Sequence, residues 1–292
     1  PSGDLIGDYQ GVSNIEAGNL TFLHELWYKQ TLGNFSLLAG LQDLATGFAA
    51  SDYGALFLNG SFGVHSTIAH NVPAPVFPLT ALGLQLQWRF SDAFTAKTAI
   101  FDGLPDDFEH NPHNISWKLN SDDGYLSVSE FNYTSDFFNG LQGTWKFGAY
   151  FHNHMESADE AGGAVYRDDY GFYFVADQLL IDDPDGKKLA FFTQAGVSPY
   201  DRNENNFYLG AGINYSGLMD GRMDDILGIA VAHAGFHNSS RRNETTIEVS
   251  YRRQLNAYLF IQPDVQYVIN PAGTGERLNN ALAGIIRVGV GF

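Results

Sequence analysis

The residues whose types and positions could do chemistry form a scattered set of opposite charges: Glu25, Lys29, Arg89, Lys146, Glu248, Arg252, Asp264 and Arg287. Each is read onto the polar side of a stretch in which apolar and polar residues alternate, so one face would gather them all. Acids and bases opposed across a narrow passage orient a solute rich in hydroxyls, because a hydroxyl both donates and accepts. Arginine adds a planar fork of donors, and Trp27 or Tyr150 offers an aromatic face on which a sugar ring can stack. The same charges would serve equally to hold neighbouring strands together, and the sequence leaves both uses open for every one of them.

Other chemistries find less. His152 and His154 share one strand face, and His110 and His113 share an acidic loop with Asp106, Asp107 and Glu109. No third or fourth ligand is fixed, so no metal site is assigned. The acidic stretches Asp122–Asp123, Asp159–Glu160, Asp168–Asp169 and Asp182–Asp185 read as solvated loop faces that could bridge to lipopolysaccharide through divalent cations. The run His237-Asn-Ser-Ser240 holds hydrolase residue types, with Ser239 as the nucleophile to test, but consecutive loop positions carry no triad geometry. No glycine cluster opens a helix to cradle phosphate. No catalytic residue and no cofactor are expected.

The elements that must position the charges are strands. In the last window Leu282, Ile286, Val288, Val290 and Phe292 share one face, and Ala283, Ile285, Arg287 and Gly289 the other. The same period of two runs through Leu82–Phe90, Trp145–Phe151, Phe207–Tyr215, Thr245–Tyr251 and Leu259–Tyr267. Windows of this kind, from Leu23–Lys29 onward, give about 14 strands (range 12–16) of roughly ten residues each, the length that crosses a bilayer. Tyr125–Tyr133 fits poorly, because Glu130 shares parity with Val128, and a bulge or changed register is expected there. Tight turns at Thr31–Asn34, Ser91–Ala93, Asp183–Lys187 and Asn256–Tyr258 alternate with longer segments at Asp102–Asp123, His154–Asp169 and Asn270–Asn279. Short connections on one side and long ones on the other are barrel logic. Asp43–Thr80 is long, apolar and carries Pro73, Pro75 and Pro78, so it is expected to fold into the lumen and narrow it. A further strand pair around Ala55–Ser66 is the competing reading.

Composition agrees. The 292 residues carry a formal net charge of -17, which excludes a general nucleic-acid binder. Cysteine is absent, so disulfides and zinc–thiolate sites are excluded. The chain holds 23 Phe, 15 Tyr and 32 Gly with only 17% charged residues, which suits an all-β protein whose apolar face meets lipid, with Tyr258, Tyr267 and Phe292 as interface aromatics. The polar face then lines a water-filled lumen. No run of 18 apolar residues offers a membrane helix, and the polar, acidic start shows no secretory signal.

Longer motifs carry a resemblance. Gly11-Val-Ser-Asn-Ile-Glu-Ala17 with Glu25-Leu-Trp-Tyr28 is similar to the carbohydrate-selective porins of the OprB type. So are Phe48-Ala-Ala-Ser-Asp-Tyr-Gly-Ala-Leu-Phe-Leu-Asn59, Phe77-Pro-Leu-Thr-Ala-Leu-Gly83 and Tyr170-Gly-Phe-Tyr-Phe-Val-Ala-Asp-Gln178. Gln194-Ala-Gly-Val-Ser-Pro199, Phe207-Tyr-Leu-Gly-Ala-Gly212, Glu244-Thr-Thr-Ile-Glu248 and Gln262-Pro-Asp-Val-Gln-Tyr-Val-Ile-Asn-Pro271 complete the set. The resemblance implies a Gram-negative outer-membrane β-barrel that lets monosaccharides, glucose especially, diffuse into the periplasm. Family members are typically longer at the N-terminus and have sixteen strands, against the fourteen expected here. The expectation is one transmembrane antiparallel β-barrel domain over residues 1–292, monomeric or loosely associated, a passive pore for small sugars surrounded by lipid and lipopolysaccharide. A pore for organic acids, and a non-transport barrel (a lipid hydrolase or an adhesin), are the alternatives.

Overall fold

A chain whose side chains alternate apolar and polar can bury one face and wet the other only as a strand, and nearly every alternating window is one. The structure, a computed structural model, describes residues 2–158, 165–219, 221–237, 240 and 242–291. Asp159, Glu160, Ser239, Phe292 and the side chain of His154 lie outside the described residues. The strands are β1 (Leu26–Leu32), β2 (Phe35–Gln42), β3 (Ala81–Arg89), β4 (Phe94–Asp102), β5 (Tyr125–Phe138), β6 (Leu141–Ala158) and β7 (Val165–Asp182). They continue as β8 (Lys188–Val197), β9 (Asn205–Ser216), β10 (Ile226–Phe236), β11 (Glu244–Asn256), β12 (Leu259–Ile269) and β13 (Ala281–Val290).

Among the described residues each strand pairs with the next in one 13-stranded sheet, all pairs antiparallel. The count lies within the expected range. β1 and β13 are the edges and do not pair with each other among the described residues. Strand direction alternates, so these two edges run the same way. The tight connections lie at one end of the sheet. They include Asn139-Gly140, both at positive φ (54° and 74°), an arrangement that turns one strand straight into the next. The long segments lie at the other end. His154–Asp169 is not the long loop expected: β6 runs to Ala158 and β7 starts at Val165, with Ser157 opposite Tyr166. A strand that has left the lipid needs no apolar face, so its alternation fades while backbone pairing continues.

The two faces separate as the alternation requires. Leu282, Ile286, Val288 and Val290 are 61–73% exposed on the outer face of β13, with Leu84, Leu86, Phe147, Phe172, Ile213, Ile229 and Val249 also exposed on their strands. Among the described residues no helix is long and apolar enough to cross a membrane; these strands make the crossing.

The inner face is largely filled. The connection from β2 to β3 folds inward as expected, and the strand pair around Ala55–Ser66 does not form. Short helical turns at Leu44–Thr46, Gly54–Leu56, Gly60–Phe62 and Ser66–Ala69 take its place. Gly54, Asn59, Gly60 and Gly63 interrupt any alternation there, and the Asn59 side chain caps the Ser61 N–H at 3.1 Å. Leu44, Phe48, Ile68 and Val72 of this segment pack with Phe101, Leu126, Val128, Tyr150, Tyr173 and Val175 of the wall. Leu56, Phe57 and Phe62 pack with Phe192 and Tyr208. This corrects two expectations. The lumen is not simply water-filled, and β5 needs no register change at Glu130. It pairs with β4 unbroken from Tyr125 to Tyr133, because Leu126 and Val128 meet the apolar segment inside the lumen while Glu130, on the same face, meets its backbone. Residues 2–14 add a second inner layer against β11–β13: Gln266 Nε2 donates to the Val12 carbonyl at 2.8 Å, and the Gly60 N–H to the Gly11 carbonyl at 2.7 Å.

Candidate functional site

The register lines up inward positions from strand to strand. One row runs Lys97, Glu130, Gly148, Tyr173 from β4 to β7. Another runs Asp177, Phe192, Gly212, Ala230, Glu248, Gln266 from β7 to β12. The side chains of these rows fasten the β2–β3 segment across the lumen, mostly through its main chain. Glu130 accepts from the Ala49 N–H at 2.8 Å and the Tyr173 hydroxyl at 3.0 Å, and pairs with Lys97 Nζ at 2.8 Å. Lys97 donates to the Gly47 carbonyl. Asp177 accepts from Ser51 Oγ at 2.6 Å and from the Asp52 and Tyr53 N–H groups at 3.1 Å each. Glu248 accepts from the Leu58 and Asn59 N–H groups at 2.5 and 3.1 Å. Such charge-assisted bonds satisfy donors that would otherwise be stranded away from water. Glu244 does the same for residues 9–10, accepting from the Tyr9 and Gln10 N–H groups at 2.7 and 3.0 Å.

The charges read from the sequence divide accordingly. Lys146 donates to the Ala50 carbonyl at 2.6 Å, so it and Glu248 hold the segment. Glu25 is not on a strand face, because β1 begins one residue later. It accepts instead from the Asp43 N–H at 3.0 Å and Thr46 Oγ1 at 3.3 Å. Asp264 is buried and accepts from Gln266 Nε2 at 3.1 Å. Arg287 donates to Asn14 Oδ1 at 2.7 Å, and the Arg252 guanidinium lies 4.0 Å from the Phe260 ring centroid. Arg89, Lys29 and Trp27 are exposed at inward positions of β3 and β1. Tyr150 offers no stacking face: it is 2% exposed and its hydroxyl donates to the Thr67 carbonyl at 2.6 Å. The histidines are engaged locally, His152 with the Gly103 carbonyl, His113 with the Thr21 carbonyl and His110 with Asp107.

Sequence reasoning missed Asp177, Lys97 and the fastening role of Glu130. Glu130 did carry a signal, as the acid that spoiled the alternation. Two ionisable groups of the inner segment are perturbed by burial. Asp43 caps the Leu44–Thr46 turn through the Ala45 N–H at 2.7 Å, and burial pushes its carboxyl up to about 6. His65 is fully buried against Thr67 Oγ1 at 2.8 Å, and desolvation lowers it to about 3.

An up-and-down antiparallel sheet with a lipid-facing outer surface and a segment folded into its lumen defines an outer-membrane β-barrel of the porin class. The chain belongs to the carbohydrate-selective porin, OprB family, whose sequence profile matches residues 1–292. Its fold is similar to the high-pH structure of Pseudomonas putida OprB: TM-score 0.84 at 20% identity, over 97% of this chain and 76% of that one. Against the low-pH structure of the same protein the TM-score is 0.58 at 17% identity, over 91% and 66%. A curated relative from Acinetobacter baylyi, named "Putative porin QuiX", is 22% identical over 252 residues, which is 72% of this chain. The chain spans 55% of that relative's length. Family and fold agree on an outer-membrane porin barrel.

Proposed function

We propose that the protein lets small sugars, glucose-like monosaccharides in particular, diffuse passively across the outer membrane. The observation that carries this reading is the β2–β3 segment fastened across the lumen beside the exposed Trp27, Lys29 and Arg89. A narrowed passage of this kind exchanges part of a solute's hydration for side-chain hydrogen bonds, weakly enough to release it. No side-chain hydrogen bond or ion pair holds Arg89 or Lys29 among the described residues, which leaves both free for solute hydroxyls. The same two cations support a second reading, a pore for small organic acids. The acidic outer connections would contact lipopolysaccharide through divalent cations.

Planar-bilayer recording tests both. Stepwise conductance blocked by glucose supports the sugar reading; block by a hydroxylated carboxylate such as quinate alone moves the substrate to organic acids. Absence of conductance overturns the pore. Arg89→Ala and Arg252→Ala are expected to change sugar flux or ion selectivity while the barrel stays folded. Unchanged flux and current in both would assign these arginines to the wall.

A further inference from the structure

At the tight-turn end of the lumen, beneath the inward segment, lies a cavity of about 590 Å³ lined by Tyr53, Gln142, Asp182, Lys188, Asn214 and Ser216. Its volume falls within the roughly 300–1,000 Å³ of small-ligand sites. The wall is one register row: Asp182 opposite Lys188, Lys188 opposite Ser216, Ser216 opposite Ile226 and Ile226 opposite Arg252. Tyr53 enters from the segment and is held by its main chain at both ends. Its N–H donates to Asp177 at 3.1 Å and its carbonyl accepts from Asn214 Nδ2 at 2.8 Å. The ring is thus positioned without use of its hydroxyl, which makes no hydrogen bond among the described residues. Burial and the nearby carboxylates of Asp177, Asp52 and Asp182 raise the pKa of that hydroxyl and keep it a neutral donor. The Asp182–Lys188 pair, 3.3 Å apart with both side chains 40–52% exposed, adds little to stability as a strut. It presents instead an acceptor and a donor side by side.

A half-buried aromatic face opposite an acceptor, a donor and a hydroxyl is complementary to a pyranose, which has an apolar C–H face and a rim of groups that both donate and accept. An anion would meet the carboxylates of Asp182 and Asp52. We propose that this cavity is a second, exit-side saccharide subsite, with Tyr53 as the stacking platform and Asp182, Lys188 and Ser216 as hydroxyl partners; it rests on the sugar reading above.

The test is glucose titration of single-channel current for the full chain and for Tyr53→Ala, Tyr53→Trp and Lys188→Met. Loss of an aromatic stack corresponds to about tenfold in affinity. The half-blocking glucose concentration is therefore expected to rise about tenfold in Tyr53→Ala and several-fold in Lys188→Met. Tyr53→Trp keeps the platform and should stay near the unmodified pore, with an added indole emission that changes over the same glucose range. Unchanged block in Tyr53→Ala, or an indole signal indifferent to glucose, overturns the subsite and leaves the sugar pore standing. A conducting pore that glucose never blocks overturns both.

Discussion

Replacing Asp177 by alanine removes one carboxylate and strands three donors: Ser51 Oγ, bonded at 2.6 Å, and the Asp52 and Tyr53 N–H groups, each at 3.1 Å. Hydrogen bonds to a charged acceptor are worth about 1.5–3 kcal/mol each. Treated as independent they would exceed 4 kcal/mol, but they share one buried charge whose desolvation is relieved by the substitution. The net cost should fall near 3 kcal/mol, the low end of what breaking a buried charged contact costs. The segment does not leave the lumen, because Glu130 and Glu248 still hold Ala49 and Leu58–Asn59, and Phe48, Phe57, Phe62 and Ile68 stay fully buried at about 1.5–3 kcal/mol apiece. Opening is confined to residues 51–56. Hydrogen exchange followed by mass spectrometry reads this directly: about 3 kcal/mol corresponds to a roughly hundredfold faster exchange at Asp52 and Tyr53. Amides 49, 58 and 59 should change by less than about tenfold. Asp177→Asn, which keeps one acceptor oxygen, should fall between. Unchanged exchange at 52–53 would refute the fastening role, and equal acceleration at 58–59 would refute the independence of the fasteners.

Other predictions concern pH and packing. His65 binds its proton less readily folded than unfolded, so between about pH 6.5 and 3 acidification should loosen the segment by about 1.4 kcal/mol per pH unit. Asp43 acts with the opposite sign, because its raised pKa makes the folded state take up protons below about pH 6 and tighten on acidification. His65→Leu should therefore gain thermal stability relative to the unmodified protein as pH falls from 6.5 to 4, and Asp43→Asn should lose it; melting curves that stay parallel across pH would refute both. At Gly148 an added Cβ would fall inside the Tyr173 ring, so Gly148→Ala must displace a tyrosine whose hydroxyl donates to Glu130 at 3.0 Å. The expected destabilisation is about 1–3 kcal/mol, read as a lower melting temperature; an unchanged one would show that the ring moves aside freely.

Much of the fold was legible because a lipid-facing strand has to alternate: Leu282–Phe292 and Leu82–Phe90 locate β13 and β3 to within a residue or two. The inward path of Asp43–Thr80 was legible from its apolar content and prolines. Lys146 and Glu248 lie on the inner face, but what they hold was not readable, since their partners at Ala50 and Leu58 are main-chain groups. Leu126 and Val128 misled for a related reason. Parity reports which face a side chain takes, and only the packed segment decides whether that face is wet. The layer formed by residues 2–14 left no periodic signal, being neither strand nor helix in its contacts with Glu244 and Gln266.

The fasteners grip main-chain atoms at Gly47, Ala49, Ala50, Asp52, Tyr53, Leu58 and Asn59. Apart from the Ser51 hydroxyl held by Asp177 and the Asn59 amide held by Gln266, a grip of that kind does not depend on side-chain identity. Side chains that point from this stretch into the open part of the passage can be exchanged without loosening its seat, so the barrel acts as a socket and the segment as an interchangeable selectivity insert. Exchange at the exposed Asp52 and Ala55 and at the half-buried Tyr53 is then a rational way to re-tune the pore, while Phe48, Leu56 and Phe57 keep the segment packed against the wall.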